Sequence, residues 1–198
     1  MQVSEIYAGL IQKGFDAGVP ATFVINKGGV RITNDEISGE VSRLPPFRVV
    51  FSGEPLVEQI EIFHLLMGLR QAGHIIEIET HGEIMPDSMI RNCVDRWSVY
   101  PDINKKQFPD SMMFFARNEN ARFYFNVKNF FQLGEIHAFV EYFGINPRNV
   151  MVFFAKNPTG VLTKMIFKCI EEGYALGQEL PKGAMVKWTI QTKMTSQK

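Results

Sequence analysis

The chain has 198 residues, 45% of them hydrophobic and 21% charged, a composition typical of a globular protein long enough to bury one core. Its 21 basic and 21 acidic residues give a formal net charge of zero, which argues against nucleic-acid binding through a general positive field. The basic residues that could form a local patch are scattered: Lys105, Lys106, Lys187 and Lys193. We therefore expect one domain over residues 1–198 and no nucleic-acid partner.

Short β-rich runs alternate with helical patterns from the first strand onward. In the first half the predicted strands are residues 21–25 (ATFVI), 48–51 (RVVF) and 74–80 (HIIEIET). A capping-box pattern at Thr33 and Glu36 predicts a helix over 34–44. A second helix is predicted over 57–71, with Pro55 near its start and Gly73 after its end.

The second half repeats this alternation less regularly. The predicted strands are residues 96–100, 122–127, 149–155 and 186–190. A short helix is predicted over 111–117. Two apolar stripes at helical spacing predict two further helices: Ile136, Phe139, Val140 and Phe143 form one, and Leu162, Met165, Ile166, Cys169 and Ile170 form the other.

Strands separated by helices require crossover connections, which give a mainly parallel sheet covered by helices. Six or so such units are too few for a closed barrel of about eight units and ~250 residues. The sequence therefore predicts an α/β fold, an open βα barrel of about six mainly parallel strands flanked by helices. Ligands in such sheets bind outside the carboxyl ends of the strands, where site residues should be sought.

The two cysteines, Cys93 and Cys169, are far apart and come without a recognisable export signal in the first ten residues, MQVSEIYAGL. No stretch reaches the ~18–20 apolar residues that span a bilayer. We expect a reducing, intracellular setting, cytoplasmic or within a particle assembled inside the cell, without disulfides or a membrane. Both cysteines are interpreted as structural, Cys169 because it falls on an apolar stripe.

Several segments near the predicted strand ends occur in the order and spacing of a known family. They are VSEIYAGLIQKGFDAGVPATFVI at the start, FSGEP (51–55), ETHG (79–82), SVYP (98–101), VFFAKNPTG and QTK (191–193). This set resembles the 7-carboxy-7-deazaguanine synthases of the radical-SAM superfamily. In the same order, the segments of that family are VSEIF-SIQGEG-AG-P-FVR, TGGEP, ETNG, a Ser-Pro-Lys segment, a late strand with its loop, and Q-H-K.

The resemblance implies a radical-SAM fold. Members of that family bind a [4Fe–4S] cluster, S-adenosylmethionine and a carboxylated tetrahydropterin, which they contract to a deazapurine precursor of queuosine. It also implies two sets of site positions. Ser52, Gly53 and Glu54 correspond to the motif that meets the amino group of S-adenosylmethionine. Gln12, Glu79, Thr80, His81 and Ser98 correspond to remnants of the substrate pocket.

The cluster-binding loop of that family, C-x₃-C-x₂-C after the first strand, has no counterpart here. In the corresponding segment, INKGGVRITNDE, Gly29 stands at the first cysteine and Thr33 follows four residues later. Three thiolates are needed to hold three irons of the cluster. The histidines offer no ligand pair in their place: His64, His74, His81 and His137. We expect no cluster and no other metal or cofactor. Ser52–Glu54 is interpreted as a strand-to-helix turn, and a residual S-adenosylmethionine pocket at these residues is the less favoured alternative.

The substrate positions depart from the family as well. The QGEG motif is reduced to Gln12-Lys13-Gly14, and the arginine usual at the end of the first strand is Ile25. Isoleucine cannot form the bidentate pair that an arginine makes with a carboxylate.

Two functions remain open. The first is a pseudoenzyme kept as a structural or protein-interaction subunit of a larger assembly, with protein partners or copies of itself. Most of the 17 phenylalanines are expected in the core, and an exposed group around residues 123–131 would support a contact surface. The second is an enzyme of queuosine and deazaguanine biosynthesis that acts on a pterin or deazapurine without its own cluster, with Glu54, Glu79 and His81 as acid–base groups.

Overall fold

The computed structural model describes residues 1–45, 47–53, 62–105, 107–154 and 162–177. In these ranges the chain forms eight strands: β1 (Gln2–Leu10), β2 (Pro20–Arg31), β3 (Arg48–Gly53), β4 (Ile75–Thr80), β5 (Arg96–Val99), β6 (Ala121–Val127), β7 (Val150–Phe154) and β8 (Ala175–Gly177). The helices are α1 (Asn34–Ser42), α2 (Ile62–Gln71), α3 (Ser88–Arg91), α4 (Ser111–Ala116), α5 (Phe131–Phe143) and α6 (Leu162–Glu172). A 3₁₀ turn at Pro147–Asn149 precedes β7.

The strands form one sheet in chain order, from β1 to β8. β1 is antiparallel to β2, and every later neighbour pair is parallel. Among the described residues β1 and β8 do not pair with each other, so the barrel is open. The predicted α/β fold is confirmed, with eight strands where about six were expected. β1 and β8 are the two strands that the alternation of elements did not predict.

β2 is longer than predicted. A strand over residues 21–25 followed by a loop was expected, but β2 continues to Arg31, so the loop prediction is wrong. Its far end pairs with the start of β1, with Gln2 opposite Arg31 and Val3 opposite Val30. The register shifts between Val3 and Glu5, which accommodates the extra residues of β2 as an irregularity in the hairpin.

The remaining predictions agree with the structure where it describes the chain. Thr33 caps α1 and its Oγ1 accepts from the amide of Glu36 at 3.2 Å, while the Glu36 carboxylate accepts from the Thr33 amide at 2.7 Å. α2 ends at Gln71 as predicted. The first residues of that predicted helix and the whole of the predicted strand 186–190 lie outside the described residues.

The core lies between the sheet and its helices. Val49, Phe51, Ile78 and Trp97 point outward from the strands and are fully buried under the helical layer. Both cysteines are buried there as expected, and burial raises the pKa of Cys169 to about 11. This pKa keeps the thiol protonated at neutral pH, consistent with a packing role. No helix in the described part of the chain is long and apolar enough to cross a membrane.

Candidate functional site

The inner face of the open barrel is polar. Because alternate residues of a strand share a face, Glu77 and Glu79 of β4 point inward while Ile76 and Ile78 point to the helices. β5 and β6 contribute inward polar residues in the same way: Arg96, Ser98 and Tyr124. The barrel interior, which we call the lumen, is therefore the place to look for chemistry.

The loop of residues 11–19 joins β1 to β2 and covers the amino-terminal edge of the parallel strands. Asp16 in this loop lies 3.1 Å from Nη1 of Arg48 and also bonds Arg96. Phe15 packs on Tyr124, with 6.0 Å between the ring centroids. These contacts hold the loop across the start of β3, β5 and β6.

Next to this loop, the Glu77 carboxylate and the Ser98 hydroxyl form a buried hydrogen-bonded pair in the lumen. The hydroxyl of Ser98 donates to Glu77 at 2.6 Å, and the other oxygen of Glu77 is 3.7 Å from Nη1 of Arg48. That oxygen and Nε of Arg48 have no hydrogen-bond partner among the described residues. Burial raises the pKa of Glu77, and the bond from Ser98 opposes that shift only in part.

Two tyrosines line the other side of the lumen. The rings of Tyr100 and Tyr124 are stacked with centroids 5.1 Å apart, and the Tyr100 hydroxyl is 3.4 Å from Glu79. Burial raises the pKa of Tyr124 to about 12 and also raises that of Tyr100. Both phenols therefore stay protonated at neutral pH and are poor candidates for a general base.

These side chains pack closely around one small cavity of the lumen. The cavity that they line with Ile11, Phe23 and Val50 measures approximately 10 Å³, about the space of one water molecule. A much larger cavity of approximately 990 Å³ lies outside the barrel, between residues 103–110 and α5. Its walls include Phe108, Phe139 and Tyr142, so it is an aromatic groove away from the strand ends.

The predicted pocket residues fall in different places. Glu79 and Ser98 face the lumen, whereas the Thr80 hydroxyl accepts from the Gly82 amide at 3.0 Å and so closes a turn. His81 follows β4, and its Nδ1 lies 3.0 Å from the Tyr100 carbonyl. Gln12 lies in the loop at the opposite, amino-terminal edge. The structure thus brings together two of the five predicted residues.

The described cofactor-motif positions lie at the end of β3. Ser52 pairs with Ile25, and Gly53 pairs with Asn26. Gly53 has φ +122°, and an added Cβ would lie 2.0 Å from the Asn26 carbonyl oxygen. Glycine is thus required here for the turn and for this close approach. Glu54, the third predicted residue, lies outside the described residues.

Close packing also explains the glycine at the position of the first family cysteine. Gly29 lies in the extended part of β2, where an added Cβ would be 2.0 Å from the carbonyl oxygen of Val3. Thr33, four residues later, is the N-cap of α1.

The residues that tie the lumen together were not singled out from the sequence: Asp16, Arg48, Glu77 and Arg96. A signal for one of them was present, because Glu77 and Glu79 alternate with isoleucines in HIIEIET. That period of two predicts a strand with one polar face, which in a covered sheet must be the lumen side.

Comparison with known proteins finds the 7-carboxy-7-deazaguanine synthase of Pyrobaculum aerophilum, which is 31% identical over 168 residues, 73% of this chain and 75% of that protein. The chain belongs to the 7-carboxy-7-deazaguanine synthase family. The 7-carboxy-7-deazaguanine synthase of Koribacter versatilis is 33% identical over 101 residues, which cover 42% of this chain and 45% of that protein. The predicted family is thereby confirmed.

The fold agrees with this assignment. The crystal structure of QueE from Escherichia coli matches with a TM-score of 0.70 over 91% of this chain and 94% of that chain, at 16% identity. At that identity the match shows the fold alone. The chain matches no protein-family model.

The residues of this chain do not fit an iron–sulfur cluster at the place where the 7-carboxy-7-deazaguanine synthases have their cluster-binding cysteines. Gly29 and Thr33 supply no thiolate, and both cysteines of the chain are buried in the core. In the described part of the chain no group of three His, Cys, Asp or Glu side chains could hold a metal ion. A cluster needs soft sulfur ligands converging on one point, and this segment, which forms the last part of β2, offers none.

Proposed function

We propose that this chain is a non-catalytic member of the 7-carboxy-7-deazaguanine synthase family, kept as a structural or protein-interaction subunit of a larger assembly. It carries no [4Fe–4S] cluster of its own and does not bind S-adenosylmethionine. The observation that carries the proposal is the segment Asn26–Arg31: it has no cysteine, its last two residues pair with β1, and its Gly29 lies against the backbone of Val3. Without sulfur ligands there is no electron source for reductive cleavage of the cofactor.

The lumen supports the proposal independently. Ile25 replaces the arginine expected for the substrate carboxylate, and the described lumen residues leave room for about one water molecule. Asp16 forms ion pairs with both Arg48 and Arg96. These three charged groups are therefore already paired within the protein and are not available to a ligand.

The surface supports a role in contacts with other proteins. Phe123 and Phe125 are buried, but Phe131, at the start of α5, is 84% exposed. Phe47 and Tyr142 are also exposed. Exposed aromatic side chains are the residue type that interfaces favour.

The test compares this protein with the synthase of Pyrobaculum aerophilum, both purified anaerobically with iron and sulfide. Titration calorimetry with S-adenosylmethionine should show binding to the relative and none to this chain. Mass spectrometry after incubation with cofactor, reductant and carboxylated tetrahydropterin should show deazapurine product only with the relative. Micromolar cofactor binding or product formation by this chain would overturn the proposal.

A cluster-free enzyme of deazaguanine metabolism is the second candidate. It is favoured by one observation: Glu77, with a raised pKa, and Glu79 lie in the same lumen, an arrangement that can separate acid and base roles. Conversion of the pterin by this chain without cofactor or reductant would establish it. Absence of conversion, with intact conversion by the relative, would eliminate it.

A further inference from the structure

The aromatic groove outside the barrel has a floor of closely packed rings. Phe108 stands edge-on to Phe139 and to Phe143, with the ring centroids 4.8 Å and 5.7 Å apart. The rings of Phe139 and Phe143 are 4.8 Å apart and also belong to the buried core. Because the packing of α5 holds these rings in place, the floor is a preformed apolar surface.

The rim of the groove is acidic. Among the described residues that line it, the charged ones are Asp110 and Glu135. Helix α5 adds a third exposed carboxylate, that of Glu141, and contains no lysine or arginine. Lys105, near the lining segment in the chain, lies 2.5 Å from Glu83, so its charge is balanced there. The described residues therefore combine an apolar floor with a negative rim.

The apolar surface continues beyond the aromatic floor. A second cavity of approximately 610 Å³ shares Asp110 and Met113 with the groove. Its walls include Met85, which is 48% exposed, and the oppositely charged Arg117 and Glu119. Flexible thioether side chains adapt readily to the shape of a partner. The second cavity thus lengthens the contact surface and leaves the sign of the rim unchanged.

The groove suits a helix better than a small molecule or a strand. Gln107, Ala138 and Tyr142 on its rim are exposed, whereas small ligands usually bind where most of their surface is enclosed. The described lining residues belong to α4, α5 and the segment before α4, so they offer no strand edge to an added strand. An apolar groove beside a helix is the usual docking place for the apolar side of another helix.

The charge of the rim selects the kind of helix. Carboxylates repel phosphate groups, which argues against a nucleic acid or an anionic membrane, and they attract lysine and arginine. We infer that the aromatic groove docks a basic amphipathic helix of another protein. Its apolar side chains lie on the rings of Phe108 and Phe139, and its basic residues face Asp110 and Glu135. This inference rests on the interaction role proposed above and specifies the chemistry of the partner.

Fluorescence anisotropy with a defined peptide tests the inference. The probe is a fluorescein-labelled peptide of leucine and lysine, about 14 residues long, whose leucines recur at helical spacing. The wild-type chain should bind it saturably, and more weakly as salt rises. A peptide of the same composition in scrambled order, and a leucine–glutamate peptide with the same leucine positions, should each bind at least about tenfold more weakly.

Two pairs of variants locate the binding surface. Glu135→Lys should weaken binding of the leucine–lysine peptide at least about tenfold and strengthen binding of the leucine–glutamate peptide. Glu171→Lys, the same reversal at an exposed position of α6 outside the groove, should change neither. Tyr142→Ser should weaken binding, because it removes an aromatic wall of the groove. Phe131→Ser, at an exposed ring of the same helix away from the described lining, should not.

Four results would each overturn the inference. They are no saturable binding by the wild-type chain, equal binding of the scrambled peptide, unchanged affinity in Glu135→Lys and Tyr142→Ser, and an equal loss in Glu171→Lys. A changed sedimentation coefficient of Glu135→Lys or Tyr142→Ser without peptide would assign the groove to a second copy of this chain and would overturn it as well. Both replaced side chains are exposed, so the variants should fold, which circular dichroism checks.

These measurements involve neither cluster nor cofactor. A chain that binds S-adenosylmethionine would refute the proposed lack of catalysis without touching the groove. A chain that fails to bind the peptide would refute the groove alone, so the two failures are distinguishable.

Discussion

Gly29 and Val3 meet backbone to backbone across the β1–β2 hairpin, so closely that a β-carbon on Gly29 would lie 2.0 Å from the carbonyl oxygen of Val3. This contact fixes the segment that corresponds to the cluster loop of the family as part of a strand. A cysteine at this position is therefore excluded by packing as well as by sequence. Restoring the chemistry of the family would require rebuilding the hairpin, not only replacing residues.

The first prediction concerns this contact. Gly29→Cys should lower the free energy of unfolding by about 1–3 kcal/mol, because the new side chain overpacks against rigid backbone. Urea unfolding followed by circular dichroism measures the change. Gly39→Cys, on the exposed side of α1 with nothing within 4 Å of an added Cβ, is the control and should cost little. Equal stability of the two variants would show that the hairpin does not pack as described.

The second prediction concerns the loop that closes the lumen. Asp16→Asn should destabilise the chain by about 2–4 kcal/mol, because it removes the nearer of the two carboxylates beside the buried Arg48, the other being that of Glu77. Arg43→Ala, which breaks the exposed pair with Glu40, should cost no more than about 0.5 kcal/mol. Thermal unfolding in low and high salt compares the two. If Asp16→Asn behaved like Arg43→Ala, the loop would not be held by its charges.

The third prediction is a pH dependence. Burial raises the pKa of Glu77 above its unfolded value, so its contribution to stability is full at low pH and is lost as pH rises through the folded pKa. Glu77→Gln keeps the Ser98 contact but does not ionise. The variant should therefore gain stability relative to wild type as pH rises from about 4.5 toward neutrality.

Unfolding free energies at a series of pH values give this difference directly. Glu119→Gln, at an exposed carboxylate, controls for the loss of one negative charge. A difference between Glu77→Gln and wild type that does not change with pH would mean that Glu77 is not held in a desolvating site.

Much of the fold was accessible from the sequence because local signals and tertiary structure agree there. The capping box at Thr33 and Glu36 and the apolar stripe of α5 each specify a helix that the sheet then buries. β1 was missed because it is antiparallel at the edge of the sheet, outside the strand–helix alternation. The extension of β2 was missed because two adjacent glycines and a lysine favour a loop, whereas Val30 and Arg31 beyond them pair with β1 and continue the strand.

The site was less accessible for a different reason. Motif positions such as Glu79 and Ser98 are found by resemblance, and both do face the lumen. Asp16 and Arg96 are 80 positions apart, and nothing local to either residue indicates their ion pair. That contact depends on how the loop folds back under the barrel, which is tertiary information. The same holds for Gly29, whose contact with Val3 depends on the hairpin register.

The most direct measurement is the iron and sulfide content of this chain after anaerobic reconstitution, with the Pyrobaculum aerophilum synthase treated in parallel. Because the chain offers no thiolate at the family position, we predict no stoichiometric iron and a colourless protein. About four irons and four sulfides per chain, with the absorbance of a [4Fe–4S] cluster, would contradict that account.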